Sequence, residues 1–270
     1  MPPGGAMAAA GPAGGAELPA FFEYAAPRDW KAIDFISDLH LCEAMPRTFE
    51  AFGAYLLHTR ADAVFVLGDL FEVWVGDDMR HRPFESRCVA LLAQAARIRC
   101  LAFLVGNRDF LVGDEFLHAT GMVGMADPTL LTAWGQRRLL SHGDALCLAD
   151  QPYQAFRQQV RAIPWQTAFL ARPLPERLQI AAEIRQVSMT RQRFDGAADA
   201  DLDTGESLRW LKGLGATELV HGHTHRPGHQ SLGPGFARHV LSDWDLDHAQ
   251  RAEVLRLTRN GLQRLAPSAA

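Results

Sequence analysis

A chain of 270 residues, 48% hydrophobic and 21% charged, has the composition of a soluble globular protein and room for one large α/β domain or a domain with an insert. A net charge of -4 carries no global basic signature, which argues against nucleic acid as a partner, and no apolar run reaches the length of a membrane span. The four cysteines, Cys42, Cys88, Cys100 and Cys147, are scattered without a Cys-x-x-Cys, so they read as free thiols in a reducing compartment rather than a disulfide framework or a structural zinc site.

Residues 1–28 are rich in Gly, Ala and Pro. They lack the basic and continuous apolar regions of a signal peptide, so a disordered tail on a cytoplasmic protein is expected. Ile33, Phe35 and Ile36 predict a short buried strand, after which Asp38 and His40 project to one side, because residues two apart in extended chain share a face. Phe49, Phe52, Tyr55 and Leu56 recur at helical spacing over 47–60. Ala63 to Leu67 is a continuous apolar run suited to a buried parallel strand, and it stops at Gly68-Asp69. The following stretch to Asp78 reads as a loop or short turn, with Asp77 and Asp78 as solvated acids.

An amphipathic helix is predicted over 84–97, with Val89, Leu92 and Ala96 on one face. Cys100 to Val105 is the third strand and ends at Gly106-Asn107-Arg108-Asp109; residues 114–120 form a short helix. Arg137 to Ser141 is a strand ending at His142-Gly143-Asp144. Glu218 to Val220 leads into His221-Gly222-His223-Thr224-His225, with His221 read as structural. A final strand pair, about Ala237–Leu241 and Glu253–Thr258, closes the domain, and residues 261–270 are a loose end.

Five apolar strands thus finish in polar residues able to bind metal. Ligands in open α/β sheets bind beyond the carboxyl ends of the strands, so Asp38, His40, Asp69, Asn107, His142, His223 and His225 are expected in one crevice. One Asp-x-His is weak evidence; five endings in order, with glycines beside four of them, form a specific pattern.

Residues 151–214 interrupt the strands. Between Pro152 and Phe194 there are seven Arg against two Glu, interleaved with Phe156, Val160, Trp165, Phe169, Leu178 and Ile184, and Pro164, Pro173 and Pro175 break the stretch into short helices. This reads either as an ordinary helical cap with solvated arginines or as a basic amphipathic contact for a membrane surface or anionic ligand.

The ordered blocks Asp38-x-His40, Gly68-Asp69, Gly106-Asn107-Arg108-Asp109, His142 and Gly222-His223-Thr224-His225 resemble the calcineurin-like metallophosphoesterases, from about residue 33 to 258. Ser37 to Cys42, Leu67 to Trp74, Gly106 to Phe110 and Tyr153-Gln154-Ala155-Phe156-Arg157 are similar, more narrowly, to the UDP-2,3-diacylglucosamine hydrolase family of lipid A biosynthesis. The resemblance implies a four-layer α/β/β/α sandwich with an inserted helical lid. The core would occupy 29–150 and 215–260, with the lid at 151–214. It implies two Mn2+ ions: Asp38, His40 and His225 hold one, Asn107, His142 and His223 the other, and Asp69 bridges them. Asp69, Asn107, Arg108 and His223 would be catalytic. Asn107, Arg108, His223, Asp150 and Ser188 would touch substrate, with Gln192 near positions where the family has Asn and Lys; Arg191 or Arg193 could replace the missing Lys charge.

Two cations roughly 3.5–4 Å apart can share one hydroxide and clamp phosphate oxygens. The mixed oxygen and imidazole donors, without thiolate, favour Mn2+, with Fe or Zn possible. Many relatives carry His after the Asn; Arg108 cannot donate a proton near neutral pH but can fork onto phosphate oxygens, which suits a phosphate leaving group. Pairing of Arg108 with Asp109 is compatible with that role. The expected reaction is attack of the shared hydroxide on the nucleotide-side phosphorus of UDP-2,3-diacylglucosamine, yielding UMP and 2,3-diacylglucosamine 1-phosphate. The expected setting is a monomer peripheral to the cytoplasmic face of the inner membrane, bound through the basic lid. The alternatives are a soluble phosphodiesterase or dinucleoside polyphosphate hydrolase, and a non-catalytic scaffold of the same fold, which the complete ligand set disfavours.

Overall fold

Alternation along the strands decides the layering. In the computed structural model, which describes residues 6–8, 18–195 and 201–270, Val64 and Val66 of β4 (Ala63–Leu67) face one apolar layer, while Ala63, Phe65 and Leu67 face another. The same split recurs in β5 (Cys100–Leu104), where Leu101 and Phe103 face one layer and Ala102 and Leu104 the other. Such a strand is buried on both sides, which is why it reads as a continuous apolar run.

Two sheets result. The first has six strands: β13 (Gly261–Leu265), β12 (Val254–Thr258), β3 (Ala32–Ile36), β4, β5 and β6 (Val123–Met125), in that order. β3 to β6 run parallel, as crossovers through helices require. The second has seven: β1 (Ala6–Ala8), β2 (Phe21–Ala25), β7 (Thr129–Ala133), β8 (Gln136–Ser141), β9 (Glu218–His221), β11 (Phe236–Val240) and β10 (Gly228–Gly233).

Between the sheets lie Ile33, Phe35, Phe65, Leu131, Leu140, Val220 and Leu257. Outside the six-stranded sheet pack α1 (Pro46–His58), α2 (Pro83–Ala96) and α3 (Asp114–Thr120), through Phe52, Leu56, Cys88, Leu92 and Phe116. Outside the seven-stranded sheet packs α7 (Thr204–Gly213), through Trp210 and Leu211 against Leu130, Leu139 and Leu219. The architecture is therefore α/β/β/α, with α4 (Gln151–Arg161), α5 (Ile163–Leu170) and α6 (Leu174–Asp195) added between β8 and α7. Trp165, Phe169, Leu174 and Leu178 of these added helices pack against the layer outside the six-stranded sheet.

Five expectations are corrected. The predicted final pair is not a pair: β11 runs parallel to β9 in one sheet, and β12 runs antiparallel to β3 in the other. Apolar alternation specifies a face but not a partner. Residues 21–25 are not loose tail, because β2 pairs with β7 and buries Tyr24 against Phe65, 5.0 Å between ring centres. Residues 261–265 are likewise a strand, paired with β12. The helical insert ends before α7, whose apolar face belongs to the outer layer of the core.

Asp77 is not a solvated acid. It accepts from Trp74 Nε1 (3.1 Å) and from the amides of Gly113 and Phe116 (both 2.9 Å), serving the exposed N–H groups at the start of α3. Asp78 pairs with the buried guanidinium of Arg177.

Candidate metal centre

The loops that leave β3, β4, β5, β8 and β9 all emerge at one edge of the two sheets. They are laced together: the Asp38 amide donates to Gly68 O (3.1 Å), His40 to Asp69 O (3.0 Å) and Leu41 to Leu70 O (2.9 Å). Asp38, His40, Asp69, His223 and His225 all have left-handed backbone, with φ of 54°, 48°, 53°, 66° and 51°. Each such residue costs on the order of 1–3 kcal/mol and persists only where the surroundings hold it. Five of them among the predicted ligands mark this edge as a functional site. Gly68, at φ 86°, lies so close to His142 that a Cβ would sit 2.5 Å from Nδ1; a Cβ on Gly106 would run into the Asp69 carboxylate.

All seven predicted ligands come together. The donor atoms of Asp38, His40 and His225 lie within 4.8 Å of one another, and so do those of Asp38, Asp69 and His142. His225 Nε2 is 3.3 Å from both Asp38 Oδ1 and His40 Nε2. Asn107 Oδ1 is 2.9 Å from His142 Nε2 and 2.9 Å from His223 Nδ1. Asp69 Oδ2 lies 3.7 Å from His142 Nε2, and a donor atom of Asp69 is within 4.8 Å of one of Asp38, so Asp69 reaches a member of each group.

Supporting contacts fix these rings and carboxylates. His142 Nδ1 donates to Leu67 O at 3.0 Å, which turns Nε2 toward Asn107 Oδ1 and the centre. Its amide donates to Asp127 Oδ2 at 3.2 Å. Asp38 Oδ2 accepts from Ser37 Oγ (2.5 Å) and from the His223 amide (3.0 Å). Glu72 Oε2 stands 3.2 Å from His40 Nδ1, and Glu72 also pairs with Arg185 of α6. Asp243 Oδ2 lies 4.0 Å from His225 Nδ1 and is gripped by Arg251. A carboxylate behind a ligating imidazole raises its basicity and sets its tautomer. Sequence reading missed Glu72, Asp127 and Asp243; Glu72 was in a quoted motif, but nothing in its spacing distinguished it.

The centre attracts positive charge. Burial pushes the Asp38 carboxyl up, but the His225 hydrogen bond and the charges of His142, His225 and His40 hold it well below the carboxylate range. Burial alone would depress His142; the carboxylates of Asp69, Asp38 and Asp144 outweigh it and raise the imidazole to about 9. His223, buried beside His142, is pushed down to about 4. A buried carboxylate pair that draws protons onto an adjacent imidazole is an environment suited to cations. The oxygen and imidazole donors fit divalent first-row ions, and the four cysteines stand apart from the donor set as free thiols.

Arg108 is half-buried beside the centre, and its backbone amide donates to Asp69 Oδ1 at 2.8 Å. Among the described residues no hydrogen bond reaches its buried Nε. The alternative partner, Asp109, is committed elsewhere: its carboxylate accepts from the amides of Gly106 (2.7 Å) and Leu70 (2.7 Å), with burial and the Asp69 charge raising it to about 6. Asp150 caps α4 by accepting from the Tyr153 amide at 3.1 Å. Ser188 and Gln192 fall on the last turns of α6, and their side chains lie outside the described residues.

Residues 31–227 match the family described as calcineurin-like phosphoesterases. The chain is similar to the UDP-2,3-diacylglucosamine hydrolase of Aromatoleum aromaticum, 42% identical over 218 residues, covering 79% of this chain and 89% of that one. It is also similar to the enzyme of that name from Chromobacterium violaceum, 42% identical over 237 residues, covering 87% and 98%. The Haemophilus ducreyi enzyme of the same name is 38% identical over 232 residues, covering 85% and 97%. Among solved structures, a dimetal phosphatase from Danio rerio is similar at 13% identity and a TM-score of 0.47, covering 87% of this chain and 98% of that one.

Proposed function

This chain belongs to the UDP-2,3-diacylglucosamine hydrolase family of calcineurin-like phosphoesterases, and on that footing we propose that it hydrolyses the pyrophosphate bond of UDP-2,3-diacylglucosamine to UMP and 2,3-diacylglucosamine 1-phosphate, in lipid A biosynthesis. The observation that supports this most is the meeting of seven nitrogen and oxygen donors from five strand ends, with Asp69 between two groups.

Asp38, His40 and His225 would hold one Mn2+, Asn107, His142 and His223 the other, with Asp69 serving both; such a pair would supply an activated water and neutralise phosphate oxygens. The chain supplies the rest. Arg108, whose buried Nε has no protein partner among the described residues, forks onto the substrate's phosphate oxygens through its guanidinium. The glucosamine-side phosphate leaves as an anion, so no proton donor is needed where Arg108 stands. Attack falls on the nucleotide-side phosphorus.

Asp150, Ser188 and Gln192 contact the substrate from the inserted helices. Those helices leave Ile163, Val187, Leu170 and Ile184 exposed, at 79%, 61%, 42% and 37%, near partly exposed Arg172 and Arg185. This mixture suits acyl chains and an anionic membrane surface. No described helix is long and apolar enough to cross a membrane. The proposed contact is peripheral, by a monomer on the cytoplasmic face of the inner membrane.

Incubating the purified protein with Mn2+ and the lipid nucleotide in 18O-water tests the proposal. UMP carrying the label and unlabelled diacylglucosamine 1-phosphate are expected. Label in the lipid product overturns the direction of attack. Cleavage of dinucleoside polyphosphates with the lipid nucleotide untouched overturns the substrate and leaves the soluble hydrolase reading.

A further inference from the structure

Tyr153-Gln154-Ala155-Phe156-Arg157, one of the stretches that carries the family resemblance, contributes no metal ligand. Three of its side chains nevertheless converge on one buried residue. Tyr153 OH donates to Asp144 Oδ2 at 2.6 Å, and Arg157 Nε donates to the same oxygen at 2.8 Å. Gln154 Nε2 donates to the backbone carbonyls of Asp144 (2.7 Å) and Cys147 (3.1 Å). One turn further along α4, Arg161 Nη2 lies 3.7 Å from Asp144 Oδ2 and donates to Gly106 O at 2.8 Å, with its guanidinium 5.1 Å from the centre of the Phe110 ring.

These contacts all fall on one half of the metal centre. Asp144 follows His142 across Gly143, whose φ of 113° makes that turn a weak support by itself. Gly106 precedes Asn107. The Tyr153 ring lies 6.1 Å from the His223 ring, tilted by 30°. α4 therefore bears on the backbone or ring of Asn107, His142 and His223. The other half has its own supports, Ser37 and Glu72, which lie elsewhere.

We propose that Asp144 is a positioning residue, the hub through which α4 holds Asn107, His142 and His223 in ligating geometry and so sets the affinity of the second ion alone. The proposal rests on the two-ion reading above. Groups that orient metal ligands typically change affinity by about 10- to 100-fold when removed. The effect should be local, because the buried Asp144 carboxylate, held by two arginines and a tyrosine hydroxyl, is a fixed point two residues from His142, joined to it through Gly143.

The test is Mn2+ titration of the metal-free full-length protein by calorimetry, with circular dichroism to verify folding. The unaltered protein should show two binding steps; His40→Ala and His142→Ala assign them. Tyr153→Phe and Arg161→Met should each weaken the His142-dependent step by about tenfold or more and leave the His40-dependent step within about twofold; Asp144→Asn should approach 100-fold. Arg157→Lys should restore most of what Arg157→Met loses. Equal weakening of both steps, or no change in folded Tyr153→Phe and Arg161→Met proteins, overturns the proposal; those two variants decide should Asp144→Asn fail to fold. An unaltered protein that binds fewer than two ions overturns the two-ion premise as well. Two normal Mn2+ steps without cleavage of the lipid nucleotide would instead defeat the substrate assignment and leave the positioning role standing.

Discussion

Asp69→Ala protein should lose kcat/KM for the lipid nucleotide by on the order of 10^3-fold or more. Metal ions contribute several kcal/mol of charge stabilisation in phosphoryl transfer, and about 1.4 kcal/mol corresponds to each factor of ten. Asp69 is the residue placed between both groups of donors, 3.7 Å from His142 Nε2 and within 4.8 Å of the Asp38 donors, so its removal weakens both positions at once. The backbone around it has independent anchors, since the Leu70 amide is held by Asp109 at 2.7 Å and the His40 amide by Asp69 O at 3.0 Å. The fold should therefore survive, less the cost of placing alanine at φ 53°, about 1 kcal/mol. Metal analysis should find fewer than two ions per chain. Activity within tenfold of the unaltered enzyme, in protein of normal metal content, would count against a bridging Asp69.

The second large effect is on stability. Asp34 sits in the middle of β3 with its carboxylate fully buried, and it is saturated: Arg256 donates from Nε (2.7 Å) and Nη2 (2.8 Å), Thr59 from Oγ1 (2.8 Å) and Tyr55 from OH (2.9 Å). The network joins β3, α1 and β12 at the end of the sheet away from the metal centre. Removing one member of a buried pair leaves the other charge uncompensated, at a cost of about 3–5 kcal/mol. Asp34→Ala should lose that much in urea unfolding, a fall in Tm of roughly 5–9 °C for a chain of this size. The Tyr55 hydroxyl, which burial and the Asp34 charge hold well above its ordinary range, loses its carboxylate acceptor at the same time. Asp34→Ala combined with Arg256→Met should recover part of the loss, because the stranded cation is removed too. A single variant within 1 kcal/mol of the unaltered protein would show that water takes over the carboxylate's role.

The strands that build the centre were legible because they are buried on both faces and end abruptly. Val64 to Leu67 and Leu101 to Leu104 leave no ambiguity of period, and a glycine beside the polar ending marks where the backbone turns. The partners of those strands were not legible. Phe22 pairs with Thr129, and Leu255 with Phe35, across separations that no local pattern encodes. β2 escaped notice because its five residues follow a long Gly, Ala and Pro stretch, and β13 because only the pairing with β12 makes Gly261–Leu265 a strand.

The site divides the same way. The seven candidate ligands are marked by their position at strand ends, whereas the acids beside them look ordinary in sequence. Asp144 differs from Asp77 only in what the fold brings to it: Tyr153, Arg157 and Arg161 in one case, Trp74 and the start of α3 in the other. Asp34 stands inside an otherwise apolar strand, and its partners come from α1, Thr59 and β12, distant in sequence.

The most direct measurement is anomalous diffraction at the manganese edge from Mn2+-loaded crystals of the full-length protein. Two peaks per chain are expected, both bonded to Asp69, one completed by Asp38, His40 and His225 and the other by Asn107, His142 and His223. A single peak, or two peaks of which only one touches Asp69, would contradict the account.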